Sequence, residues 1–123
     1  MAQVVRPAGW PAEVLPPDAA GWEESAARWL LDICPPEFRS YAVLRRHVVV
    51  LARFAVVHTE ASDEAARRAL AEARTSLRDV LAPETVEQVV TAWEREIARL
   101  VARRRAAELV EEALRGRRFR ARL

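Results

Sequence analysis

The chain has no lysine and no asparagine, and it carries one cysteine, three glycines and two isoleucines in 123 residues. Each scarcity excludes something. The single Cys34 rules out an intramolecular disulfide and any metal site built from several thiolates. A reducing, cytoplasmic setting is the expectation that goes with it. Gly9, Gly21 and Gly116 stand far apart, so no glycine-rich loop is present to wrap a phosphate. No apolar run approaches the ~18 residues of a membrane span, and no charged start followed by an apolar stretch marks a secretory leader. Neither a membrane span nor a leader is therefore expected.

Histidine is nearly as scarce. His47 and His58 are eleven residues apart, about 16 Å along a helix, so one metal ion cannot be shared between them. Helical metal pairs use spacings of three or four, and neither histidine has a glutamate at such a spacing on its N-terminal side. No metal and no cofactor are expected.

All twenty basic residues are arginine, alongside 24 alanines. That bias matches GC-rich codon usage, so arginine abundance alone is no argument for phosphate binding, well as guanidinium suits that task. Its distribution says more. Residues 1–99 carry 12 Arg against 15 Asp and Glu, whereas residues 100–123 carry 8 Arg against 3 Glu. The positive excess sits at the C-terminal end.

Proline is present but confined: six of seven precede Glu37. Four of them, in "MAQVVRPAGWPAEVLPPDAA", prevent regular helix and favour extended or turn conformations, and residues 1–20 are expected to form an extended Pro-rich arm. Trp10, Val14 and Leu15 could pin this arm to a groove of the body, or Trp10 could anchor to a partner. From Gly21 the pattern changes. Trp22, Ala26, Trp29, Leu30 and Ile33 recur at helical spacing, and Pro35 with Pro36 ends the run, which predicts a helix over 21–34. No Gly or Pro then appears for 46 residues, which predicts a second helix over 43–81, with a break or kink near Ser62. The third helix, 84–115, has Pro83 at its first position, Glu84 and Glu87 at the positive end, and a stop at Gly116.

These elements predict an all-α fold: a helical bundle built on a long antiparallel hairpin, with a shorter N-terminal helix and the Pro-rich arm before it. One domain spans 21–116 and a basic tail follows over 117–123. Folding the hairpin back around Leu81 to Pro83 sets residues whose numbers sum to about 165 opposite one another, large Trp93 and Ile97 against small Ala69 and Ala73. Trp22, Trp29 and Trp93 are expected in the core. "VVVLARFAVV", from Val48 to Val57, is apolar almost all round, which marks a central helix or one buried by a second subunit. A homodimer is the corresponding expectation.

Three kinds of function remain. The favoured one is a non-enzymatic helical interaction or accessory protein, dimeric and binding another protein, with Trp10 a candidate anchor. The second is nucleic-acid binding through Arg115, Arg117, Arg118, Arg120 and Arg122, with Phe119 available to stack on a base. The third arises from "RFAVVH", where Arg53 and His58 form an Arg-x4-His arrangement. This resembles the signature of HEPN-type ribonucleases, small all-helical domains that commonly act as dimers. The resemblance covers these six residues, and Phe54 stands where that family usually has a polar residue. It implies Arg53 and His58 as the agents of metal-independent RNA cleavage, a role suited to an imidazole that titrates near neutral pH.

Overall fold

The computed structural model describes residues 6–116, which form four α-helices and one short 3-10 segment. The first helix, α1, spans Trp22–Ile33 and buries Trp22, Ala26, Trp29, Leu30 and Ile33, the stripe that the periodicity predicts. Each of the larger side chains contributes about 1.5–3 kcal/mol by leaving water. Gly21, at φ 78°, takes the left-handed turn that admits the chain to α1. The helix ends where Pro35 and Pro36 deny it further backbone donors.

A 3-10 segment over Pro36–Ser40 leads to α2, Ala42–Arg46, and then to α3, Val48–Leu77, and α4, Pro83–Leu114. The second predicted helix is thus divided, but at His47 and not near Ser62. His47 adopts φ −120° and ψ 83°, outside the helical region, while α3 runs unbroken for 30 residues through Ser62. Three aromatic rings supply a reason. Phe38 lies 6.1 Å from Phe54 and 6.4 Å from Tyr41, whereas one continuous helix would put the start of α2 about 18 Å from Phe54. Breaking at His47 brings the preceding segment back alongside α3.

The hairpin has the predicted register. Arg53 pairs with Glu111 near its base and Arg74 with Glu87 toward its tip. At the far end of α4, Gly116 has φ 80° and its N–H donates to the Ala113 carbonyl, closing the helix where the sequence places its stop. α4 is 32 residues, about 48 Å, and α1 is 12 residues, about 18 Å. α1 therefore covers the basal part of the hairpin and leaves the distal part as two helices. The main core gathers at the base, from Leu30, Leu51, Ala55, Ala107 and Val110 among others. A smaller cluster of Ala66, Ile97 and Leu100 lies farther out, with small Ala66 against larger partners.

The segment before α1 belongs to that main core. Of the two conformations that its prolines favour, the described part of the arm takes turns, consecutively over 7–21. Trp10 and Val14 are buried among the residues of α1, α3 and α4, while Leu15 stays exposed. The Trp10 indole N–H is shared between the Val14 and Leu15 carbonyls at 3.1 and 3.2 Å. Arg6 donates to the Pro11 and Val14 carbonyls, and Ser25 of α1 accepts from the Leu15 N–H. Prolines leave these backbone groups without helical partners, and side chains supply the missing bonds. No helix among the described residues is long and apolar enough to cross a membrane.

Candidate functional site

α3 is apolar on two opposite faces. Leu51, Ala52, Ala55, Val56 and Thr59 point into the core and are buried. Val50, Phe54 and Val57 lie on the reverse side, 38%, 48% and 50% exposed, and Ala61 continues their line. Spacings of four, three and four residues keep these side chains within about 60° of one another around the helix. Such a row is the seam of a helix that packs against another helix, and among the described residues no α-helix lies along it, although the Phe38 ring touches its edge at Phe54. Tyr41 and Val43, also exposed, widen the surface beside the start of α3. Exposed apolar side chains aligned in a row along one helix face are the pattern that helix–helix contact uses. The near-uniform apolarity of Val48 to Val57 thus has two sources, a core on one side and an uncovered stripe on the other.

Arg53 and Glu60 run along one flank of the stripe, and His58 along the other. Arg53 Nη1 lies 3.3 Å from a carboxylate oxygen of Glu111, whose side chain is buried although the guanidinium is half exposed. Arg115 grips the same carboxylate, with Nε and Nη2 each 2.9 Å from Oε2. Arg53, Glu60, Glu111 and Arg115 line a polar groove of about 310 Å³. His58 belongs to a different groove, of about 560 Å³, walled by Ala65 and Ala69 on α3 and by Trp93, Leu100 and Arg103 on α4. Arg53 and His58, five residues apart, point about 140° away from each other around the helix. Within one chain the structure does not bring the proposed ribonuclease pair together.

Trp93 departs from expectation in the same region. Its spacing predicts a core position, yet it is 37% exposed and forms a wall of the larger groove. The cause is length: α1 stops at Ile33, which reaches only the end of this groove, so among the described residues nothing covers Trp93 fully. Beside it, Arg99 donates from Nε to Glu96 at 2.9 Å. That hydrogen bond, aided by charge attraction, holds the Glu96 carboxyl below the usual carboxylate range, with desolvation opposing.

The other candidates divide by location. Trp10 is engaged by its own core, as described above. Arg115 closes α4 and is bonded to Glu111, so part of its charge is neutralised. Arg117, Arg118, Phe119, Arg120 and Arg122 lie outside the described residues. Cys34 is buried, and that burial pushes its thiol up to about 11 against the opposing attraction of Arg39. A thiol so protonated is a poor nucleophile at neutral pH. Among the described residues no group of three or more His, Cys, Asp or Glu side chains is placed to hold a metal ion.

Two features escaped sequence reasoning. The buried Glu111 looked like one of many surface acids at helical spacing, and only the approach of α3 to α4 shows that it is enclosed. Ser25, on which no sequence expectation rests, is buried and bridges the Trp22 carbonyl and the Leu15 N–H. Helical spacing sets Ser25 on the face of Trp22 and Trp29 and Glu111 on that of Ala107 and Leu114, but a polar residue on such a face is enclosed only where another element covers it.

Comparison with protein-family models, with curated proteins and with solved structures finds no match. What the fold defines is an all-α helical bundle with a long antiparallel hairpin, and its most conspicuous surface is the apolar stripe of α3.

Proposed function

We propose that this chain is a small, non-enzymatic helical interaction protein that forms a homodimer and binds another protein. One observation carries the reading: the row Val50, Phe54, Val57 on the face of α3 opposite the core, exposed in the single chain. Full burial of such a side chain is worth about 1.5–3 kcal/mol, and since these three are half-buried already, a partner that covers them would gain roughly half of that for each. A second copy supplies such a partner at any concentration where the chain is abundant. The groove beside Trp93, with its alanine wall and apolar floor, leaves a separate surface for a different protein. The lone thiol of Cys34 suits a reducing, cytoplasmic setting.

Sedimentation velocity tests the dimer. At tens of micromolar the protein should sediment at twice the 13.9 kDa of one chain. Phe54→Glu should sediment as a single chain that keeps the helical circular dichroism of α1, α3 and α4, because Phe54 faces away from their shared core and its contact with Phe38 holds only the short segment before α3. A wild-type protein that remains at 13.9 kDa throughout that range refutes dimerisation.

A further inference from the structure

Resting on that reading of the α3 stripe, we infer that two copies pair antiparallel, α3 against α3, about a two-fold axis passing between Phe54 and Val57. The occupant of the stripe is a second copy of this chain, and size and charge both specify the orientation.

Size is the first argument. With the axis so placed, Phe54 faces Val57 of the second copy and Val50 faces Ala61, so a larger side chain meets a smaller one at every layer. A parallel pairing would set Phe54 on Phe54 and leave Ala61 facing Ala61, crowding one layer and hollowing another. Two-fold symmetry repeats each favourable contact.

Charge is the second. Beyond the apolar layers the stripe ends in His47 on one side and in Glu64, then Arg68, on the other, all exposed. Antiparallel pairing brings His47 to Glu64 of the second copy, twice. Parallel pairing instead stacks Glu64 on Glu64, His47 on His47 and Arg68 on Arg68. Along the flank, Arg53 and Glu60 are seven residues apart and therefore point the same way. In the antiparallel register the flanking positions meet so that Arg53 lies across from Glu60 of the second copy, again twice. Arg53 Nη1 lies 3.3 Å from Glu111, and its guanidinium, half exposed and with five N–H donors, has capacity for a second carboxylate. Glu60 has no ion pair among the described residues, so its carboxylate is available. Phe38 and Tyr41 border the stripe near Phe54 and extend the apolar contact.

The test uses the full chain with Cys34→Ala, adding Val50→Cys in one preparation and Ala61→Cys in another. Mild oxidation of the mixed proteins should yield a disulfide-linked dimer containing one chain of each kind. Neither preparation alone should cross-link, since identical positions would lie about 16 Å apart along the helices. Cross-linking of Val50→Cys by itself means parallel pairing and overturns the inference. A dimer by sedimentation that cross-links in none of the three samples places the interface elsewhere, overturning the orientation while sparing the dimer. Sedimentation as a single chain removes both. Independently, Glu60→Arg should weaken the dimer at least tenfold, because it opposes Arg53 of the second copy with a like charge; an unchanged dissociation constant would contradict the register.

Discussion

Glu111 puts a carboxylate beneath the surface of the bundle and leaves two arginines to satisfy it from its edge. Removing one partner of a fully buried ion pair costs about 3–5 kcal/mol, but Arg53 and Arg115 are near half exposed and return to water when the carboxylate goes. Glu111→Ala should therefore cost only about 1–2 kcal/mol in urea unfolding. Cys34 makes a sharper prediction. Burial lifts its thiol from the ordinary 9.0 to about 11, so between these values the folded chain keeps a proton that the unfolded chain has lost. Folding then takes up a proton, and stability falls as pH rises through that window. Urea midpoints measured from pH 8 to 11 should show this decline, and Cys34→Ala should lose that part of it.

Among the elements, the segment before α1 is held by few points. Trp10 fills a site between α1 and the hairpin and caps two carbonyls, so Trp10→Ala removes both packing and hydrogen bonds. A loss of about 3 kcal/mol is expected, the lower end for truncating a buried tryptophan. Amide exchange should quicken first over residues 6–20, because the rest of the core keeps its helix-to-helix contacts. The uninterrupted course of α3 through Ser62 has an equally local explanation. Ser62, Asp63 and Glu64 resemble a helix start, yet Thr59 and Asp63 are buried and bonded within α3, Thr59 to the Ala55 and Val56 carbonyls and Asp63 to Arg67, and this outweighs the modest preference of these residues for a cap. The break at His47 runs the other way. Neither Gly nor Pro stands there, and contacts between Phe38, Tyr41 and Phe54 take the place of a sequence signal.

For the whole molecule, stability and assembly are linked if α3 forms a dimer seam. Folding that consumes two chains depends on their concentration, so the melting temperature should rise on the order of 3 °C for each tenfold increase in protein. Phe54→Glu should melt at a temperature independent of concentration. A wild-type melting temperature that does not move would argue against any dimer at these concentrations.

The sequence by itself determined the helical class, the hairpin and its register, and the helix ends at Pro35, Pro83 and Gly116. Those features arise from local physics: periodic side chains, the missing donor of proline and the left-handed freedom of glycine act over a turn or two of chain. Tertiary structure alone decided which of two apolar faces of α3 is covered, that Trp93 stands partly uncovered, that Glu111 is enclosed, and that Arg53 and His58 open into different grooves. Apolar spacing records that a residue avoids water without recording which surface covers it. That depends on the length of α1 and on where it lies, and both are properties of the assembled bundle.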